Sequence, residues 1–344
     1  MNLFFELMQV ALGTREKLSR VPHAYEWEQL YKEGEEQAIT SLLFCGIEKL
    51  PTEQLPSIDV KLQWIGIAQM DESTYKLHVQ RASELTRRCG AVGLMSCVLK
   101  GIGTAQYYPV PERRLCGDID LWVNGRREDI IKWLRTQCEI EHHVWHHVDA
   151  KFFEDLSVEV HVHPAWMYGP RRNRRLQRFF EHESNEWHES GLGFNVPSVE
   201  FDAVFSLVHT FHHLLEEGVG FRHIVDYFYI LRALPVSSRK EAIHTLKSIG
   251  LDKFTSAMMW VMKEVCGMPA AELLCEPNMK EGKFLLSEIM AGGNFGQTRQ
   301  DGKSRNTVGR WMMMVRHYPS EVFWMVPWKC WHWCWRMAHK KHGK

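Results

Sequence analysis

The sequence predicts an α+β protein: a small mixed β-sheet core with N-terminal helices before it and a C-terminal helical domain after it. Three observations predict this. Residues 1–90 place apolar side chains at three- and four-residue spacing, the helical period. Residues 94–163 break instead into short β-rich runs punctuated by Gly and Pro. From about Ser198 the helical period returns. These shifts divide the chain into 1–90, 91–197 and 198–344, in line with about two domains of roughly 100–200 residues each.

In the first part, segments 2–12, 24–48 and 59–89 read as helices, broken by Pro22, Pro51 and Pro56. The third ends in a basic turn before Gly93, which suits a helix C-terminus. In the second part, Leu94–Leu99 is a strand candidate and Gly101–Tyr108 a short helix, followed by an extended loop set by Pro109 and Pro111. Cys116–Val123 is a second strand and Arg126–Cys138 a helix. The runs EHHVWHHVDAKFF and SVEVHVHPAW read as two strands joined through the turn-like EDL. The expected order is therefore β-α-β-α-β-β. Residues 170–178 form a local basic cluster with five arginines.

In the third part, helices are expected at 198–216, 220–233, 237–249, 252–265, 270–275 and 279–291. GGNFG at 292–296 and the polar stretch to Asn306 read as a mobile loop. The end is a Met- and Trp-rich helical pair broken near Pro319 and Pro327.

Composition narrows the function class. With 42 basic and 42 acidic side chains, the formal net charge is zero, so any pull toward nucleic acid must be local. Nine cysteines without paired CxxC motifs point to free thiols in a reduced, cytoplasmic compartment. The N-terminus carries Glu6 early and no basic leader, so it reads as an amphipathic helix and not as a signal peptide. No apolar run is long enough for a transmembrane span. The Trp-rich C-terminus with its basic tail has the composition of a helix at a membrane surface or in an oligomer contact.

The chemistry concentrates between Ser96 and Val123. Asp118 and Asp120 are one residue apart on an apolar strand, so their side chains share a face. Two adjacent acids there repel each other and are costly to desolvate, a cost that a divalent cation removes. Glu159, the acid inside the later apolar run SVEVHVHP, supplies a third carboxylate, with Asp149 and Glu154 as its rivals. Three carboxylates on neighbouring strands are what two-cation phosphoryl transfer needs. Gly101 opens a helix by a turn that suits phosphate, and Lys100 adds a positive charge beside it.

These residues carry a resemblance. LKGIGTAQYYPVPERRLCGDIDLWV is similar to the uncharacterised nucleotidyltransferase family with a Lys-Gly turn, a Tyr-Pro loop, an Arg and then Gly-Asp-Ile-Asp-Leu, within the DNA-polymerase-β-like superfamily. VEVHVHP resembles that family's acid-x-His strand, and HTFHHLLEEGVGFRHIVDYFYIL its C-terminal helical motif. GGNFG and RHYPSE match as well, so the resemblance covers roughly residues 90–335. Lys-Gly stands where the superfamily usually has Gly-Ser. The resemblance implies that Asp118, Asp120 and Glu159 bind Mg²⁺ (or Mn²⁺) and act in catalysis. It also implies that Lys100, Gly101 and Arg114 face the triphosphate of an NTP such as ATP, whose nucleotidyl group goes to an unknown acceptor.

Other residues are accessory. His161 shares the face of Glu159, placed to orient a metal-bound carboxylate or to touch the acceptor. His209 and His212 are expected on one helix face. Asp226 is expected to pair with Arg222 four residues before it, as a weak exposed pair, and Arg114 with Glu112 if it plays no part at the site. The HHVWHH run, taken as one strand, would scatter its histidines over both faces. The arginine run is a solvated helix face or a receptor for an anionic acceptor. The alternative to an enzyme is a non-catalytic nucleotide- or RNA-binding module of the same fold, but three clustered carboxylates are costly for a pure binder.

Overall fold

The computed structural model describes residues 2–294 and 307–339. The N-terminal helices are α1 (Leu3–Leu12), α2 (Ala24–Glu36), α3 (Thr40–Ile47) and α4 (Ile58–Gly90). The helix α4 is the spine of the molecule. Its buried residues Trp64, Ala68, Tyr75, His78, Ala82, Leu85 and Cys89 recur at three and four positions, so one face stays inside over its whole length. Trp64 and Ala68 join one apolar core; Tyr75, Ala82, Leu85 and Cys89 join another.

The second core lies under a five-stranded mixed sheet. Its elements are β1 (Met95–Val98), α5 (Ile102–Ala105), β2 (Ile119–Asn124), α6 (Arg127–Gln137), β3 (Glu139–His143), β4 (His147–Lys151) and β5 (Val158–His161). The strand order is β1-β2-β5-β4-β3. Strands β2 and β5 run parallel, and the other neighbours run antiparallel. Ile119, Leu121, Val123, Val148, Val158 and Val160 bury one face of the sheet in the core shared with α4 and α6. The opposite face carries Trp122, which packs on Phe180, Trp187 and Phe201.

The helical remainder follows α7 (Pro170–Glu183) and a two-stranded ribbon, β6 (His188–Glu189) and β7 (Asn195–Val196). It comprises α8 (Val199–Glu216), α9 (Phe221–Ala233), α10 (Arg239–Ser248), α11 (Asp252–Glu264), α12 (Met279–Gly292), α13 (Thr307–His317) and α14 (Pro319–His339). The Ser198 hydroxyl caps α8 by accepting from Phe201 N at 3.0 Å. These helices share the first core with α1–α3; Phe4 of α1 meets Phe221 of α9 edge to face at 5.6 Å.

The α+β architecture is as the sequence predicts, with differences of detail. The segment read as one helix at 24–48 is two, α2 and α3, parted where Ala38 takes a positive φ of 55°. The run EHHVWHHVDAKFF is not one strand. The chain turns between His143 and His147, where Val144 N donates to His147 O, and the run forms the β3–β4 hairpin. The sheet therefore gains a strand over the expected count. The helix expected at 270–275 is a single 3₁₀ turn, Ala270–Glu272: the backbone is already extended at Leu273 (ψ 148°), and Leu274 N donates to Met259 Sδ at 3.2 Å instead of continuing the helix. Pro327 does not break α14. It forfeits one helical hydrogen bond, but packing holds the turns on either side: Met325 is buried, and Trp328 stacks 6.0 Å from Trp166. The loop read at 292–306 lies outside the described residues from 295 on.

The nine cysteines are free thiols. Among the described residues, no helix is long and apolar enough to cross a membrane. The helix α14 leaves Phe323, Trp324, Trp331, Trp333 and Met337 exposed.

Candidate active site

A cleft of about 500 Å³ opens where the Trp122 face of the sheet meets α8 and α9. Local structure places the acids on it. Strand alternation puts Asp118 and Asp120 on the same side as Trp122, and the parallel register sets Asp120 directly beside Glu159. Asp118, Asp120 and Glu159 each bring a carboxylate oxygen within 4.8 Å of the others. Of the rivals for third ligand, Asp149 is the cross-strand partner of Glu159 and binds His147 at 3.0 Å; Glu154 lies in the turn and pairs with Lys151.

The turn before α5 closes the other side of the acids. Gly101 adopts φ +61° and ψ −118°, a conformation that L side chains rarely take. Gly103 lets α5 press onto β1, since a Cβ there would fall 2.6 Å from Val98 O. The Lys100 ammonium donates to Asp120 Oδ1 at 2.9 Å, and His161 Nε2 lies 2.8 Å from the same oxygen. His161 Nε2 is also 3.3 Å from Glu159 Oε2.

Charge sets the state of each group. The Asp120 charge, with burial second, raises the Asp118 carboxyl. Burial would raise Asp120 too, but Lys100 and His161 outweigh it and hold that carboxyl below the usual range. Burial likewise opposes, and the His161 hydrogen bond overcomes, in lowering Glu159. Burial would lower His161; its two carboxylate partners push it up to about 9. Burial would lower Lys100 as well, and the charges of Asp120, Asp118 and Glu159 raise it.

The Tyr-Pro loop ties this edge of the sheet to the helices. The Tyr107 hydroxyl donates to Asp202 at 2.9 Å on α8, and the Tyr108 hydroxyl to Asp226 at 2.6 Å on α9. Arg114 is buried and forks onto Asp226, Nε to Oδ1 at 3.1 Å and Nη2 to Oδ2 at 2.7 Å. The partner of Asp226 is therefore Arg114, not Arg222 as the four-residue spacing suggests, and the pair is buried, not exposed. Arg114 correspondingly does not pair with Glu112. Its Nη1 lies beside Gly101 and donates to Leu115 O at 3.0 Å.

All nine sequence-derived candidates, Lys100, Gly101, Arg114, Asp118, Asp120, Glu159, His161, His209 and Asp226, border this one cleft. His209 does not act with His212: it lies 3.0 Å, Nε2 to Nε2, from His213, while the His212 ring bonds Trp166 O. The cleft also brings in His147, His213, Arg222 and His223, none of which stands among the sequence-derived site residues. For His213 the signal existed, since its four-residue spacing from His209 is as good a helical neighbour as three. None of the five arginines of α7 lines the cleft. Arg172 pairs instead with the buried Glu321, and Arg175 caps Ser248 O.

The donor set suits a hard cation. It is all carboxylate oxygen, it carries mutual repulsion, and its members stand on rigid strands. Comparison with known proteins supplies the context. No curated protein matches the chain. A family described as uncharacterised nucleotidyltransferase matches residues 23–267. The match thus starts within the N-terminal helices and ends before the GGNFG and RHYPSE segments. On a match of that extent, containing every residue of the carboxylate cleft, the chain belongs to this uncharacterised nucleotidyltransferase family.

Proposed function

We propose that this protein transfers a nucleoside monophosphate from an NTP to an acceptor nucleophile, a hydroxyl of a small molecule, an RNA or a protein. The acceptor oxygen bonds the α-phosphorus, the α–β bridging bond breaks, and pyrophosphate leaves. The observation that carries this reading is the carboxylate trio, Asp118 and Asp120 from one strand and Glu159 from its parallel neighbour, at one cleft with the Lys100–Gly101 turn.

Asp118, Asp120 and Glu159 would hold Mg²⁺ or Mn²⁺, which when bound neutralises phosphate charge and favours the attacking oxygen as its alkoxide. Lys100 holds a full positive charge against Asp120 and presents it to the incoming phosphates. Gly101 gives the backbone room to approach them. Arg114 sets its Nη1 edge beside that turn, with Asp226 fixing the fork. His161 keeps the Asp120 and Glu159 carboxylates oriented. Glu159, held ionised, accepts the acceptor's proton.

Pyrophosphate release, followed for each NTP with Mg²⁺ against a panel of sugar, RNA and protein hydroxyls, tests the proposal. The parent protein is expected to turn over with at least one pair, and Asp120→Ala to lose at least ~100-fold, the scale of a missing electrostatic group. An Asp120→Ala protein at the parent rate, or NTP binding without turnover on any acceptor, would favour the binding-module alternative.

A further inference from the structure

The cleft holds a second cluster of a different chemistry, opposite the acids. His209 and His213 are one turn apart on α8, and His223 is on the first turn of α9. Ligating nitrogens of all three lie within 4.8 Å of one another, and the three rings line the same cleft as Lys100 and Asp120. The nucleotidyl-transfer reading assigns His213 and His223 nothing to do.

The three rings gather closely. His209 Nε2 and His213 Nε2 stand 3.0 Å apart, and the ring centroids of His213 and His223 are 5.1 Å apart. Two imidazole nitrogens directed at each other at that range share either a proton or a cation. In a tetrahedral site, nitrogens about 2.0–2.1 Å from zinc are roughly 3.3 Å from each other. The His209–His213 pair already meets that spacing, and an adjustment on the order of 1 Å in His223 completes the set.

Protonation agrees. His213 Nδ1 lies 3.0 Å from the Glu217 carboxylate. With its Nδ1–H donated there, the Nε2 lone pair is directed into the cluster, as a carboxylate-backed metal ligand requires. Burial first, then the charge of Lys100 and the neighbouring imidazoles, holds His209 well below its ordinary value, and burial does the same to His223. Neutral imidazole is the ligating form.

We propose that His209, His213 and His223 form a three-nitrogen site for a borderline-soft divalent cation of the Zn²⁺ class, with Glu217 orienting His213. The site is distinct from the carboxylate trio, whose all-oxygen donors select Mg²⁺-like ions. Its fourth position opens to the cleft, where a water or an anionic oxygen of a bound ligand completes the coordination. The inference stands whether or not the acids catalyse nucleotidyl transfer.

Titration of the chelator-stripped full-length protein with Zn²⁺, by calorimetry and by metal content after desalting, tests it. Co²⁺ in place of Zn²⁺ reports geometry through its visible absorption. The expected result is one Zn²⁺ per chain and a tetrahedral Co²⁺ spectrum. Affinity should fall at least ~10-fold in each of His209→Gln, His213→Ala and His223→Gln. These variants should keep the parent's circular dichroism. Asp118→Asn and His147→Ala should leave Zn²⁺ binding unchanged. His147, Glu159 and His161 also form a potential ligand group, so Zn²⁺ lost with His147→Ala but retained in His209→Gln and His223→Gln overturns the assignment. Absence of stoichiometric Zn²⁺ in the parent overturns it equally.

Discussion

Replacing Asp226 by Ala removes the counter-ion of a buried guanidinium. Arg114 is 6% exposed in its side chain and Asp226 12%, and the pair is bidentate. Burial would lower the Arg114 pKa, and Asp226 more than restores it, so the native state holds the cation strongly. Truncating one partner of such a pair costs about 3–5 kcal/mol, because the other charge stays buried alone. The Tyr108 hydroxyl loses its acceptor in the same variant, which places the loss toward the upper end of that range. At about 2 °C per kcal/mol for a chain of this size, the melting temperature should drop by about 6–10 °C. Urea denaturation of the parent, Asp226→Leu, Arg114→Met and the double variant Arg114→Met/Asp226→Leu gives the coupling directly, with Asp226→Ala measured alongside. The double variant should recover most of the loss, since an apolar pair in place of a buried ion pair is often neutral or better. An Asp226→Ala protein within about 1 kcal/mol of the parent, or a double variant no better than either single one, refutes the claim that this pair locks the Tyr-Pro loop to α9.

Further outcomes follow from the same core. Asp202 is wholly buried, and burial raises its pKa well above the ordinary value of 3.8. An acid with a raised folded pKa keeps its proton longer in the native state, so its contribution to stability is full below the unfolded value. That contribution falls as pH rises from there toward the folded value, by about 1.4 kcal/mol per pH unit. Asp202→Asn should remove this slope: its advantage over the parent in urea titrations should grow from pH 4 to pH 7, and parallel curves would contradict the assignment. Gly103→Ala should cost about 1–3 kcal/mol despite the better helix former, because the added methyl meets the Val98 carbonyl at 2.6 Å. An unchanged denaturation midpoint would show that α5 can back away from β1.

What could be read from the sequence was what depends on near neighbours. The Asp118–Asp120 face follows from strand alternation, and the β-α-β-α order that opens the sheet domain from period and punctuation, so both emerged from local pattern. Glu159 was legible as an acid in an apolar strand, but its register beside Asp120 is a long-range pairing that no local pattern encodes. The same limit hid the Arg114–Asp226 pair, 112 residues apart, behind the four-residue spacing of Arg222 and Asp226. His147 was lost for another reason: the turn at 144–146 contains no Gly or Pro, so the run read as one strand, when it starts a new one on the face of Glu159. Pro327 shows packing overriding propensity, since aromatic contacts with Trp166 hold α14 through it.

The proposed reaction requires that Asp118, Asp120 and Glu159 form one cation site for a bound nucleotide. A crystal structure with Mn²⁺ and a non-hydrolysable NTP, read through the manganese anomalous signal, tests it most directly. The expected result is a peak bonded to all three carboxylates, with the triphosphate along Lys100 and Gly101. Nucleotide bound elsewhere, or manganese absent from these acids with nucleotide in the cleft, would contradict it.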